Sequence, residues 1–187
     1  MARQTAVQDQ SAIIYGSAVL EVQPYGGTDA WVNAGAIRGL NVVENVTATQ
    51  LAGDNADIAK YVSGHTLTIT FTQLEAMSED VREVVRGDFD TVDDSTPGEV
   101  TVSTGGRNLL PEFEVRITNT DEDDNPVVFT AFKTSLDSGY NLQFQDDNAE
   151  DPIVLNEISM TAIADISKTA GSQLYSLRKV GRGLAST

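Results

Sequence analysis

The sequence predicts a mainly β protein: a sandwich or barrel of two packed antiparallel sheets flanked by one short α-helix. Three observations carry this expectation: period-two alternation recurs along most of the chain, helical spacing with caps occurs at one place, and no long polar linker interrupts the pattern. With 187 residues, 40% of them hydrophobic, the chain can bury one sizeable core, so residues 1–187 are expected to form a single domain.

After an N-terminal arm at residues 1–15, GSAVLEVQP from Gly16 to Pro24 alternates Ala18, Leu20 and Val22 against Ser17, Glu21 and Gln23, and Tyr25, Gly26 and Gly27 supply a turn. Trp31, the only tryptophan, follows in a short strand or turn and is expected as an anchor, of the core first and of an interface as the alternative. IRGLNVVENVTATQ, Ile37 to Gln50, reads as a half-buried strand with Leu40, Val42 and Val46 on one face and Asn41, Asn45 and Thr47 on the other. HTLTITFTQL, His65 to Leu74, alternates Leu67, Ile69 and Phe71 with Thr66, Thr68, Thr70 and Thr72, so one side is core and the other an uncharged hydroxyl ladder. Between them residues 51–64 are too many for a tight turn and lack periodicity, which predicts a long polar loop carrying the apolar Ile58, Tyr61 and Val62.

MSEDVREVVRG holds the helix: Ser78 is a natural N-cap, Glu79 and Asp80 suit the positive end of the dipole, Val81, Val84 and Val85 form a stripe, and Gly87 is the stop. A helix this short must pack on a sheet to persist. An acidic loop precedes a short strand at Glu99 to Ser103; FEVRITNT and VVFTAFKTSL then form a hairpin across the DEDDNP turn. GYNLQFQ and PIVLNEISMTAIADI, with Val154, Ile158, Met160 and Ala162 aligned, complete the strands.

The charge is lopsided. The net charge is −16, all 28 acids lie at or before Asp165, and residues 168–187 hold Lys168, Arg178, Lys179 and Arg182 with no acid, a basic C-terminal arm on an acidic body. Such an arm suits docking on a neighbouring copy; a solvated terminus with scattered charge is the ordinary alternative. Asp outnumbers Glu, 17 to 11, and Lys occurs only four times, a balance that fits adaptation to concentrated salt. A surface that must pass nucleic acid without holding it would also be acidic, because phosphate is repelled from it.

Catalytic chemistry is poorly provided for. One histidine, no cysteine and no Gly-rich phosphate loop exclude thiol nucleophiles, disulfides and thiolate metal sites and predict no enzyme. His65, at a strand start with no spaced carboxylate beside it, reads as a locally bonded histidine, and Glu112 with Glu114 reads as one solvated strand face. The acidic runs Asp88–Asp94, Asp121–Asp124 and Asp146–Asp151 lack the spacing and central glycine of an EF-hand loop, so no metal and no cofactor are expected. No apolar run approaches the roughly 18 residues that span a bilayer, and residues 1–18 lack a basic flank with a sustained apolar core, so neither membrane partner nor secretory leader is expected.

The run AGAIRGLNVVENVTATQ, a polar loop, HTLTITFTQL and the SEDVREVVRG helix resembles the major tail tube proteins of tailed viruses, in architecture and rhythm, from about Gly16 to Ile166. The resemblance implies a β sandwich with one helix, six-fold rings, and stacking of those rings into a tube whose lumen carries the genome. Lumen-facing residues would be Asn41, Asn45, Thr66, Thr68, Thr70 and Thr72; an ordinary solvent-facing sheet surface is the alternative for each. Residues 51–64 would be an inter-ring loop using Ile58, Tyr61 and Val62, and the C-terminal arm would add Tyr175, Leu177, Arg178, Lys179 and Arg182.

The expected protein is therefore a virion tail tube component assembled in the host cytoplasm. Its partners would be itself, tail tip or baseplate and terminator proteins, and, transiently in the lumen, the tape-measure protein and DNA. The rivals are the tube of a contractile injection or secretion machine and a monomeric ligand-binding β sandwich.

Overall fold

A computed structural model describes residues 14–52, 57–74, 79–86, 90–93, 95–99, 101–105, 110–121, 125–137, 141–143 and 155–179. Eleven strands and one helix follow in chain order: β1 Ile14–Pro24, β2 Val32–Asn33, β3 Ile37–Ala52, β4 Asp57–Gln73, α1 Glu79–Arg86, β5 Asp90–Asp93, β6 Thr101–Thr104, β7 Phe113–Asp121, β8 Pro126–Leu136, β9 Asn141–Gln143, β10 Leu155–Ala162 and β11 Tyr175–Lys179. The mainly β architecture with one short helix is as the alternation predicts.

The sandwich is made from one sheet that doubles over. Nine strands form a single antiparallel path, β2-β1-β7-β8-β10-β4-β3, with β11 also on β8 and β9 also on β10, while β5 and β6 pair separately. β2 and β3 stand at opposite ends of this path, yet only Ala34, Gly35 and Ala36 lie between them. Four residue steps reach about 14 Å at most, so the sheet has to curl until its ends meet. Three hydrogen bonds fasten the closure: Ala34 N donates to Leu20 O at 2.8 Å, Leu74 N to Ala36 O at 2.9 Å, and the buried Gln73 Nε2 to Ala34 O at 3.1 Å.

The core fills the curl. Leu20 and Val22 of β1, Leu67, Ile69 and Phe71 of β4, Phe113, Val115 and Ile117 of β7 and Ile158 and Met160 of β10 make one buried cluster. Each set is the apolar half of a period-two pattern, so alternation in the sequence becomes one face in the fold. Val81 and Val85 bring α1 onto the same cluster. Arg82 and Arg86, one helical turn apart, are buried as well; their long alkyl stems suit an apolar wall.

Several expectations need correction. Residues 57–64 are strand, not loop: β4 begins at Asp57 and pairs with β3 down to Ala52↔Asp57, so the two strands form one hairpin far longer than predicted. Register shifts between Thr47 and Ala48 and between Leu51 and Ala52 break the alternation there and hide the strand from a period-two reading. The basic arm from 168 is also partly strand, because β11 pairs Tyr175↔Ala131 through Lys179↔Val127 on β8. β5 lies within the predicted acidic loop. Trp31 is only half-buried and lies beneath the Arg116 guanidinium, 4.4 Å from the ring centre, outside the core cluster. The expected helix cap Ser78, the stop Gly87 and Arg182 lie outside the described residues.

Candidate assembly surface

At the end of β10 the sheet forks. β10 lies between β4 and β8 as far as Ala162, which pairs with Leu67 on one side and Thr134 on the other. Beyond that point β11 takes over beside β8, with Ile163 N donating to Lys133 O at 2.9 Å and Phe132 N to Leu174 O at 3.2 Å. β3 and β4 do not follow. They continue together, and Asp57–Thr66 pair with β3 alone among the described residues.

This distal hairpin is open on both faces. Every residue from Asn41 to Leu51 is exposed, as is every residue from Ala59 to Ser63. Val42 and Val46, expected half-buried, remain 36% and 54% exposed: Val42 stands opposite buried Ile69 but on the terminal strand of the sheet, and Val46 lies beyond the last β10 pairing at Leu67. Tyr61 and Val62 are 55% and 58% exposed and, being consecutive and paired with Thr49 and Ala48, lie on opposite faces. Ile58 is in β4 as its backbone shows.

A polar bridge crosses the fork. The His65 ring meets Glu44 Oε1 diagonally across the hairpin, and Tyr175 Oη of β11 donates to Glu44 Oε2 at 3.2 Å. The expectation of no carboxylate beside His65 is therefore overturned: Glu44 is 21 residues away in sequence but adjacent across the strands. Burial and the Glu44 bond both push the Tyr175 hydroxyl pKa up, burial being the larger cause. Tyr175 also stacks on Phe129 with ring centres 5.1 Å apart. Next to it Leu177 is 63% exposed, and Arg178 and Lys179 are exposed.

The six polar candidates do come together. Asn41 pairs with Thr70 and Asn45 with Thr66, and Asn45 Nδ2 donates to Thr68 Oγ1 at 2.9 Å. β10 extends the ladder: Glu157, Ser159 and Thr161 stand opposite Thr72, Thr70 and Thr68. Asp137 Oδ2 accepts from Ser159 Oγ and Thr161 Oγ1 at 2.8 and 2.9 Å, and Asn141 Nδ2 donates to Glu157 Oε2 at 2.8 Å. A shallow depression over this face is bordered by Gly39, Thr72, Asn141, Glu157 and Ser159. Gly39 has φ 66° at the β3 register shift, with open space where a Cβ would stand, so the requirement there is conformational rather than steric. The β10 members of this face were legible as the polar half of NEISMTA; Asp137 and Asn141 carry no such signal.

Among the described residues, no group of three His, Asp or Glu is placed to hold a metal ion, and no helix is long and apolar enough to cross a membrane. Asp93 is described, and its carboxylate accepts from Ser95 N at 3.0 Å, with the Ser95 side chain and then its backbone N–H lowering its pKa.

No protein-family model and no curated protein matches the chain. Among solved structures it is similar to the anti-feeding prophage cap, described as the AFP tube terminating cap, with a TM-score of 0.50 and 11% identity over 96% of this chain and 95% of that one. Coverage of nearly the whole of both chains means that the likeness is one of overall fold.

Proposed function

We propose that this chain is a structural subunit of a tube-bearing, phage-like particle, working by self-association and not by catalysis. The observation that carries the reading is the β3–β4 hairpin, whose distal half projects from the core with exposed faces and, among the described residues, no strand paired on the outer β3 edge. An exposed long edge is a template for another strand, and a rotationally repeated edge-to-edge contact closes into a ring. The similarity to a tube terminating cap supports a place at a tube.

In this reading the copies form rings, six-fold as the tail-tube resemblance implies, and the hydroxyl face of Asn41, Asn45, Thr66, Thr68, Thr70 and Thr72 lines the bore. A polar wall on a chain of net charge −16 would not hold passing DNA. The particle would be a virion tail or a contractile injection machine, with baseplate, terminator and tape-measure proteins as further partners.

The cap similarity favours a second reading, in which a single ring closes the end of a tube built from another protein. Electron microscopy of the purified chain at high concentration separates them. Long tubes support the first, isolated rings the second, and dispersed monomers at every concentration and salt would sink both.

A further inference from the structure

β10 and β11 share one lane of the sheet. Both run antiparallel to β8 on the side away from β7, with Ala162 opposite Thr134 and Tyr175 opposite Ala131. Ile163 N leaves the lane bonded to Lys133 O, and Leu174 O re-enters it bonded to Phe132 N, so β11 continues where β10 stops. The excursion between them is pinned: Asp165 N donates to Gln173 O at 2.8 Å, and the buried Asp165 Oδ1 accepts from Tyr25 Oη at 2.9 Å. The head of β11 is thereby fixed.

β10 pairs with β4 across the lane, whereas β11 does not. Among the described residues, Asp57–Thr66 have no strand on the β10 side and Tyr175–Lys179 none on the β4 side. β8 and β4 are both antiparallel to β10, so β11 lies antiparallel to β4 as well. Their level follows from register. Ala162 stands opposite both Leu67 and Thr134, and the three residues of β8 from Thr134 to Ala131 span only two of β7, Phe113 to Val115. Two steps down from Leu67 is His65, which places His65 level with Tyr175. The side chains agree: Tyr175 Oη donates to Glu44 Oε2 at 3.2 Å, and Glu44 Oε1 meets the His65 ring.

Both edges are competent to pair. Neither Ala59–His65 nor Tyr175–Lys179 contains proline, so every residue carries a backbone donor. Gly64 sits at the register shift between Thr47 and Ala48, where an extra residue lets the strand bend. From this arrangement we infer that β11 is a strap that closes on the inner edge of β4, pairing Tyr175–Lys179 antiparallel with the run from Ala59 to His65, and that the Glu44 contact is the clasp from which pairing starts. Lys60 and Lys179 both fall toward the far end, where like charges work against pairing, so the strap is tightest at Tyr175. Closure concerns a single chain. Its consequence, that the outer β3 edge becomes the one edge of the hairpin offered to another copy, rests on the self-association proposed above.

The chain contains no cysteine, so an introduced pair reports alone. Leu177→Cys is combined in one chain with Val62→Cys and, separately, with Ser63→Cys, which together cover both faces beside the register shift; a disulfide requires Cα atoms within about 7 Å. At high dilution at least one pair should oxidise within the chain at least about tenfold faster than Leu177→Cys with Val43→Cys, an exposed site on β3 beyond β4. Both pairs at the control rate would overturn the inference. Tyr175→Phe, which keeps the ring on Phe129 and removes the clasp hydroxyl, should slow the faster pair at least about twofold; an unaltered rate would overturn the clasp as the starting point. Electrophoresis separates a bond within one chain from a bond between copies. Chains that close internally yet never assemble sink self-association and leave the strap, and chains that assemble with no internal bond sink the strap alone.

Discussion

The hairpin formed by β3 and β4 is two different objects along its length. Near Ile69 and Phe71 it is core: those side chains are 0% and 3% exposed and pack with Met160 and Phe113. Near Val46 and Val62 the same pair of strands keeps its apolar residues more than half in water. Backbone pairing runs through both, with register shifts in each, so hydrogen bonding does not distinguish them; the presence of an opposing layer does. One half of the hairpin serves to fold the chain, and the other half leaves its surface exposed.

The largest expected effect breaks the folding half. Phe113→Ala, at a fully buried site, should cost about 3–5 kcal/mol in urea unfolding. A loss under about 1 kcal/mol would mean that the doubled sheet is not closed around this ring.

Arg116 offers a middle case. Its Nε donates to Glu21 Oε2 at 2.7 Å and its guanidinium covers Trp31. Both partners of the ion pair are partly exposed, which discounts the electrostatic part, so Arg116→Met should cost about 1 kcal/mol. Tryptophan fluorescence would report the uncovered ring, and an unaltered spectrum would count against the stacking.

Titration probes the turn that holds β11. Hydrogen bonds from Ser167 lower the Asp165 pKa from its ordinary 3.8. A carboxylate depressed in the folded state contributes stability that is present above its unfolded pKa and lost as pH falls through the folded one. Asp165→Asn should therefore flatten the acid limb of the stability profile below about pH 4. Glu114 acts oppositely: desolvation raises its pKa, Lys168 opposing, so its contribution is present below the unfolded value and lost as pH rises through the folded one. Glu114→Gln should raise thermal stability at neutral pH, and a decrease would contradict the assigned burial.

The smallest stability effect belongs to the other half of the hairpin. Val46→Thr with Val62→Thr should shift monomer stability by no more than about 0.5 kcal/mol while impairing association. A loss comparable to that of Phe113→Ala would erase the contrast between the two halves.

What the sequence disclosed, and what it concealed, follows the same division. Leu67, Ile69 and Phe71 were legible as core because burial on one face imposes strict alternation. The distal strand at Asp57–Gly64 was not legible, since an exposed strand has no buried face to enforce a pattern and its register shifts break what remains. β11 was concealed for a like reason: YSLRK rests on β8 by backbone pairing, and four of its five residues are exposed. Glu44 beside His65 and Tyr25 on Asp165 are contacts across 21 and 140 residues, which no local reading supplies. Of the proposed lumen residues, the threonines stood out by spacing alone; Asp137, which caps two hydroxyls of the same face, had no periodic signature.

Cryo-electron microscopy of the 187-residue chain at high concentration tests the central claim most directly. Closed rings, singly or stacked, with the distal β3–β4 hairpin and β11 packed against identical copies, are the predicted result. Lone subunits, or assemblies in which the hairpin still stands free in solvent, would contradict it.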